Sequence, residues 1–600
     1  MKNKLFKGKR VLIFGLGLLG GGIEAAKWFY KNGAKLIITD KKTKKELLPS
    51  IKRLKKIKAK YILGEHRFED IDSSDIVYFN PGVSNKSEWA NYAKEKEKEV
   101  VNDCYLFFKY AKGDIIAITG TRGKTTTTTW IYELLTQVSN IYPNNRPNRL
   151  PESSDRIEFT RITRPNNIPE YQSNKNQRLG PNSGNPFGPH SGSDLKFGQH
   201  SGNIFGQNSG RNILLGGNQP ERSLFKILDK TKENTVSVLE LSSFQLEFYP
   251  TADEDGFNTD KHGFIKAPKI AIITNIYNDH LNRYSGFEEY ASVKARIFQN
   301  QTKEDFLILN LDNDWTKFFL KLKPKSQVYF VSLNKKLPKG IYIKNDKVFI
   351  KDEKEYQIFS IKKFKEIYGK HNLYNLLFAL LTLYLYLKSK NVKNPQNKIK
   401  KLKNFIFSLK TPKFRQEIIY QDKNLMIVND SAATSPDATI NAIERFKKYK
   451  NLILITGGTD KNLDFKELAK KIKKEVKPEN LILLNGSATK KLIEELRKLK
   501  YPLIEENIFE DLREAIHRGL MRISELINAD SKRIKNDKND PYISVQNPNE
   551  SMGENDPYRS VLNLYTSVIL FSPASASFEK FKNEFDRGEK FNKIVRKLVR

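Results

Sequence analysis

Short runs of β-branched apolar residues alternate along the chain with longer stretches whose apolar residues fall at helical spacing, a pattern that predicts an α/β protein. Val11 to Phe14 is the first run. A glycine-rich turn follows, then a helical stretch through Trp28 and Phe29, then Gly33 and a second run, Leu36 to Thr39, closing on Asp40. Ile76 to Phe79 is a third, ended by the tight turn Asn80-Pro81-Gly82-Val83. Ile115 to Ile118 predicts a buried strand that enters Thr119-Gly120-Thr121-Arg122-Gly123-Lys124-Thr125. After this loop Trp130, Ile131, Leu134 and Leu135 recur at helical spacing. Further strands are predicted at Thr235 to Glu240, Ile270 to Asn275, Leu425 to Asp430, Leu452 to Thr456, Leu481 to Leu484 and Ser567 to Phe571.

Two stretches break this pattern. From about Gln137 to Asn212 the chain is rich in Asn, Pro, Ser, Gly and Arg, and repeats a degenerate word at Phe187 to Gly192, Phe197 to Gly202 and Phe205 to Gly210. From about Asn528 to Asn563 it is polar and carries Asn-Asp-Pro-Tyr twice, ending at Tyr542 and Tyr558. Such composition buries too little apolar area to offset the entropy of ordering. The first is read as a disordered or loosely held insertion and the second as a flexible loop. His190 and His200 have no nearby Cys, and a metal site there is not expected. Three α/β domains are expected: residues 1–111, 112–410 with the first insertion, and 411–600 with the second.

The loop Gly120 to Thr125 carries the clearest chemistry. Strand, glycine loop and helix in that order make a phosphate-binding loop: glycines turn backbone N–H groups inward and the helix N-terminus adds positive potential. Lys124 is placed to reach terminal phosphates and the Thr125 hydroxyl to bind Mg²⁺. The spacing departs from G-x-x-x-x-G-K-[ST], whose first glycine would fall at Ile118. Gly15, Gly17 and Gly20 form G-x-G-x-x-G after the first strand, with Asp40 ending the second, which on this stretch alone fits a dinucleotide-binding oxidoreductase. Glu240, at the end of a predicted parallel strand, is well placed for Mg²⁺.

Bulk properties narrow the class. A chain of 600 residues is too long for one core. No apolar run approaches a membrane span, and the basic-then-apolar start reads as a strand and helix, not an export signal. One cysteine, Cys104, rules out an intramolecular disulfide, and the cytoplasm is the simplest location. The net charge of +36 raises a nucleic-acid partner. However, the lysines are spread among acidic residues, as in Lys466 to Lys477, and no helix-turn-helix, zinc or RNP-type motif is present. Solvated helix faces account for the charge, and no specific nucleic-acid partner is expected.

The order of motifs is more specific than any one of them. T-G-T-x-G-K-T at Thr119 is similar to the ATP loop of the Mur ligases and folylpolyglutamate synthetases. Gly216-Gly217-Asn218, L-E-L-S-S-F-Q-L at Leu239, Asn275 to Tyr284 as N-x-x-x-D-H-x-x-R-Y, K-x-R-I-F at Lys294 and Gly369 to Asn375 as G-x-H-N-x-x-N continue the resemblance to the Mur ligases. So do Lys413 to Glu417, Gly457 to Phe465, and Ser572 to Ser577 before Phe581-Lys582-Asn583 and Arg587-Gly588. The resemblance implies a Rossmann-like UDP-binding domain, a phosphate-loop ATPase-like central domain and a Rossmann-like C-terminal domain. It implies an ATP-dependent ligase that joins an amino acid to a carboxylate, working as a monomer with no membrane partner.

By the same resemblance, Gly120, Thr121, Gly123, Lys124, Thr125, Thr126, Asn372, Asn375, Arg415 and Asp430 bind ATP. Thr125 and Glu240 hold one Mg²⁺, and His280 and Lys294 serve a second, with Lys294 carbamylated. Lys124, Glu240, His280 and Lys294 form the catalytic set. Gly15, Gly17, Leu18, Leu19, Asp40 and Asn218 hold the UDP-sugar, while Thr434, Lys461 and Ser577 receive the amino acid. Asn429 to Thr434 resembles the N-D-S-x-A-T of the glutamate-adding type, which implies UDP-MurNAc-L-Ala and D-glutamate as substrates beside ATP. Ala432 stands where many relatives carry Lys. The alternatives are an alanine-adding member of the family, a basic nucleic-acid-binding ATPase, or an NAD-dependent oxidoreductase.

Overall fold

The computed structural model describes residues 4–18, 20–141, 212–218, 222–250, 259–260, 263–277, 279, 283–536 and 567–599. Leu19, His280, the repeated words of the first insertion and the Asn-Asp-Pro-Tyr words of the second lie outside the described residues.

Three large sheets and one two-stranded hairpin carry the described chain. The first holds β1 (Arg10–Phe14), β2 (Lys35–Asp40), β3 (Ala59–Leu63), β4 (Ile76–Phe79) and β5 (Glu99–Val101), in the order β3-β2-β1-β4-β5 and parallel throughout. β1 and β4 are apolar on both faces because helices cover both sides, the usual state of a parallel strand.

The second sheet is built on β6 (Asp114–Thr119), β7 (Asn212–Gly217) and β8 (Thr235–Glu240). A separate hairpin of β9 (Thr259–Asp260) and β10 (Gly263–Phe264) follows. The sheet then adds β11 (Ile270–Ile273), β12 (Phe306–Asn310), β13 (Gln327–Ser332), β14 (Gly340–Lys344), β15 (Lys347–Lys351) and β16 (Glu355–Ser360). Its order is β16-β15-β14-β13-β12-β11-β6-β8-β7, with only the β14–β15 and β15–β16 pairs antiparallel. β6 lies between β11 and β8, in a register that sets Ile118 beside Glu240 and Thr119 beside Ile273. That register brings the ends of three strands to the phosphate loop. Trp28 of the first domain packs on Phe225 of the second, ring centroids 5.3 Å apart, and donates from Nε1 to Asp229 at 3.1 Å.

The third sheet holds β17 (Glu417–Gln421), β18 (Leu425–Asn429), β19 (Asn451–Thr456), β20 (Leu481–Leu484), β21 (Ile508–Phe509) and β22 (Ser567–Phe571), in the order β17-β18-β22-β19-β20-β21. β22, last in the chain, inserts between β18 and β19, so the loops after these three strands open on one edge.

Two boundaries differ from the sequence reading. The helix after the phosphate loop runs Lys124–Ile141, past the break expected near Gln137, because Val138 continues the buried face of Leu134 and Leu135. The helix Leu512–Asn536 covers the start of the second insertion. Arg518 and Arg522 both pair with Glu525 along it, and no Gly or Pro interrupts Leu520 to Asn536. Among the described residues no helix is long and apolar enough to cross a membrane.

Candidate active site

The phosphate loop owes its shape to two glycines. Gly120 (φ 136°) and Gly123 (φ 81°) sit in the left-handed region that favours glycine. A Cβ at Gly120 would lie 2.0 Å from Thr274 Oγ1, and one at Gly123 2.4 Å from Asn375 Oδ1. The end of β11 clamps the loop: Thr274 Oγ1 donates to the Arg122 carbonyl at 2.7 Å, and the Thr121 and Arg122 N–H groups donate to the Asn275 carbonyl and Oδ1, each at 2.9 Å. Asn375 accepts from Thr127 Oγ1 at 3.1 Å and donates to Asn372 Oδ1 at 2.8 Å. The two asparagines therefore brace the loop from the helix Leu373–Ser389 and its preceding turn.

Lys124 and Lys294 converge on one oxygen. Lys124 Nζ donates to the Gly120 carbonyl at 2.9 Å and to that of Thr121 at 3.0 Å, and Lys294 Nζ donates to the same Gly120 carbonyl at 3.1 Å. Lys294 is 1% exposed, with its nitrogen 4.5 Å from the Tyr290 ring centroid. Burial, with Lys124 adding repulsion, holds the Lys294 ammonium well below its ordinary pKa. Burial also lowers Lys124, against the opposing pull of Glu240. Thr121 Oγ1 is 3.3 Å from Tyr290 Oη, which ties the Lys294 helix to the loop.

Thr125 Oγ1 donates to Glu240 Oε1 at 3.1 Å and accepts from Arg415 Nη2 of the third domain at 3.4 Å. A hydroxyl and a carboxylate in contact beside a phosphate loop are hard oxygen donors of the kind Mg²⁺ takes. These two residues fit the cation. The Lys294 amine is a poor Mg²⁺ ligand as it stands and a good one once it bears a carboxylate. Asn218, exposed, has its N–H on the Glu240 carbonyl at 3.0 Å. Thr126 is buried in the first turn of the helix.

In the first domain the glycine loop is held from below. Gly17 N–H donates to Asp40 Oδ2 at 2.8 Å and Lys42 N–H to Oδ1 at 2.9 Å. Asn80 Nδ2 donates to the Gly15 carbonyl at 3.1 Å. Asp40 thus ties the glycine loop to the turn after β2, and Leu18 projects from the loop into solvent. The Asn80–Val83 turn is in turn seized by the second domain, where Arg283 donates to the Gly82 and Val83 carbonyls at 3.0 and 2.9 Å.

In the third domain Asp430 is buried, accepting from Gln416 N–H at 3.0 Å and Ser572 Oγ at 2.9 Å, and burial pushes its carboxyl up to about 7. Thr434 is half-buried and Ser577 buried, whereas Lys461 is exposed. The bridge between Thr459 and Ala576 joins the Lys461 and Ser577 loops. Sequence reading assigned no role to Arg122, which pairs with Asp437 across the cleft, to Glu247 or to Arg445, which donates to the Ile367 carbonyl at 2.8 Å. Arg122 stands inside the phosphate-loop motif and Glu247 closes the L-S-S-F-Q-L-E run, the only local signals for either.

A phosphate loop on a parallel sheet, a glycine-loop domain bonded to it and a third domain whose Arg415 reaches the loop's Thr125 define a nucleotide-dependent enzyme of three α/β domains. Three family models match in that order: Mur ligase MurD-like N-terminal domain over residues 9–102, Mur ligase middle domain over 223–383, and Mur ligase glutamate ligase domain over 414–526. The chain is 31% identical over 604 residues to the UDP-N-acetylmuramoylalanine–D-glutamate ligase of Borreliella afzelii, covering 99% of each. It is 31% identical over 512 residues to the protein of that name from Clostridioides difficile, covering 85% of this chain and 90% of the relative. The crystal structure of the UDP-N-acetylmuramate-alanine ligase MurC from Thermotoga maritima aligns with a TM-score of 0.47 and 15% identity, covering 98% and 99% of the two chains. The chain belongs to the Mur ligase family, and it is an ATP-dependent ligase.

Proposed function

We propose that the protein adds D-glutamate to UDP-N-acetylmuramoyl-L-alanine in cytoplasmic peptidoglycan precursor synthesis, acting as a monomer. The convergence of Lys124 and Lys294 on the Gly120 carbonyl carries the reading. Burial, with repulsion from Lys124 added, favours the neutral form of the Lys294 amine. A neutral buried amine is the form that takes up CO₂, releasing one proton and becoming an anionic carbamate.

The substrate carboxylate attacks the γ-phosphorus of ATP, the bond to ADP breaks, and an acyl phosphate forms. The D-glutamate amine then attacks that carbonyl and inorganic phosphate leaves. Lys124 swings from the loop carbonyls to the phosphates and offsets the charge that builds there. Thr125 and Glu240 hold one Mg²⁺, while carbamylated Lys294 with His280 serves a second. The cations supply Lewis-acid neutralisation of phosphate charge. Arg415 and Asp430 bind the nucleotide from the third domain. Gly15, Gly17, Leu18, Leu19, Asp40 and Asn218 seat the UDP-sugar, and Thr434, Lys461 and Ser577 seat the amino acid. Support for the glutamate-adding type comes from the names of the relatives and from Asn429 to Thr434.

The test is phosphate release from ATP with UDP-MurNAc-L-Ala and a panel of amino acids. Turnover with D-glutamate alone is expected. Turnover with L-alanine or glycine on UDP-MurNAc would move the protein to another branch of the family.

A further inference from the structure

Arg587 is 1% exposed; the carboxylates of Glu584 and Asp430 act on it through space, but its hydrogen bonds go elsewhere. Its guanidinium is spent on backbone instead. Nε donates to Ser431 Oγ at 3.1 Å, Nη2 to the Ser431 and Ser575 carbonyls at 2.8 and 3.0 Å, and Nη1 to the Ala576 carbonyl at 2.9 Å. Burial lowers the Arg587 pKa to about 10, leaving it charged at neutral pH. These bonds gather two loops, one after β18 and one after β22, at the edge of the sheet where open α/β folds receive ligands.

The peptide geometry gives the gathering a direction. A trans peptide is planar, with C=O and N–H on opposite sides. Holding the Ala576 carbonyl inward therefore turns the Ser577 N–H away from Arg587. That N–H, and the hydroxyl of the nearly buried Ser577, have no hydrogen-bond partner among the described residues. The Thr459 N–H also donates to the Ala576 carbonyl, at 3.2 Å, so the Lys461 loop is drawn to the same point.

We propose that Arg587 is a positioning residue for the amino-acid substrate: by holding the Ala576 carbonyl it turns the Ser577 N–H away as a donor for a carboxylate, beside the Ser577 hydroxyl, and its buried positive charge favours an anion there. The inference rests on the reading of D-glutamate as substrate. The amino acid never touches Arg587, which acts through Ser577 and the two loops.

The experiment compares wild type, Arg587→Lys, Arg587→Met and Ser431→Ala by steady-state kinetics with D-glutamate and ATP varied in turn, and by thermal melting. Hydrogen bonds to charged groups are worth roughly ten- to a hundredfold in binding. Arg587→Met is expected to raise the D-glutamate KM by about that factor, with the ATP KM changed less than about twofold. Arg587→Lys keeps the charge and is expected to recover part of the loss. Should Arg587→Met fail to fold, Ser431→Ala decides, since it frees Nε without removing the charge, and a selective rise in the D-glutamate KM is again expected. Equal changes in both KM values, or loss of melting temperature alone, would overturn the proposal. A wild type that ignores D-glutamate would instead overturn the substrate reading beneath it.

Discussion

Arg283 lays its guanidinium on the carboxylate of Glu247, Nε to Oε1 and Nη2 to Oε2, each at 2.7 Å. The carboxylate also accepts from Tyr284 Oη at 2.8 Å and from the Asn85 N–H of the first domain at 3.1 Å. Arg296, two residues beyond Lys294 on the same helix, donates to the Glu247 carbonyl at 2.7 Å. Glu247 thus joins Asn85 of the first domain, Arg283 and Tyr284 through its carboxylate, and the Lys294 helix through its backbone carbonyl.

Removing one partner of such a pair strands the other charge. Arg283→Met is expected to destabilise the protein by about 3–5 kcal/mol. Urea unfolding is the measurement, and the double variant Arg283→Met/Glu247→Leu should recover much of the loss because no charge is left unpaired. A double variant no more stable than Arg283→Met would show that the backbone bonds to Gly82 and Val83 matter more than the ion pair.

Lys124→Ala removes the cation that, in the proposed reaction, moves to the phosphates. A drop of about 10²–10³-fold in kcat is expected. Its melting curve should stay close to wild type, since the lost bonds run only to Gly120 and Thr121 carbonyls at the loop. Retained turnover in a folded variant would remove Lys124 from the chemistry.

The depressed pKa of Lys294 makes a prediction about stability as well as activity. The unfolded lysine titrates near its ordinary value, about 10.4, and the folded one well below it. Between those values the unfolded state binds more protons, so stability rises with pH. Lys294→Met lacks this penalty. In CO₂-free buffer its advantage in melting temperature over wild type should shrink as pH is raised toward about 10. Its activity should be lost, and for Lys294→Ala partly restored by short-chain carboxylates that supply the missing oxygen ligand. An active Lys294→Ala without additives would end the carbamate reading.

Asp430 has the opposite sign. Its folded carboxyl holds a proton up to about 7, above its ordinary value, so its contribution to stability is present at low pH and lost as pH rises toward 7. Asp430→Asn mimics the protonated form and should flatten the wild-type decline in melting temperature over that window. A variant whose pH profile parallels wild type would place the titration elsewhere.

Lys461 is exposed, so its contact with an amino-acid carboxylate would lie at the rim. A rim charge is screened by water and salt. Lys461→Ala is therefore expected to raise the D-glutamate KM only a few-fold, about 1 kcal/mol at most, with the effect fading at high salt. A rise of two orders of magnitude would mean that the lysine folds inward when substrate binds.

The sequence by itself determined the elements and the local chemistry. Apolar, mostly β-branched runs marked β1, β2, β4, β6, β8, β11, β18, β19, β20 and β22, because a parallel strand covered on both faces is apolar along most of its length. The glycine loops, Lys124, Thr125 and Glu240 were legible because each stands at a strand end or in the turn and helix start that follow it, where the chain must turn. The strands β12 to β16 were not marked by any motif. Only the tertiary structure decided what meets what. Lys294 reaches Gly120 across 174 positions, Thr125 reaches Glu240 across 115, and Arg587 reaches Ser431 across 156. These contacts depend on strand order, on register and on the seating of one domain against another, which no local periodicity encodes. The depressed Lys294 and raised Asp430 follow from the same cause: a pKa shift comes from burial and neighbouring charge, and both exist only once distant segments have packed.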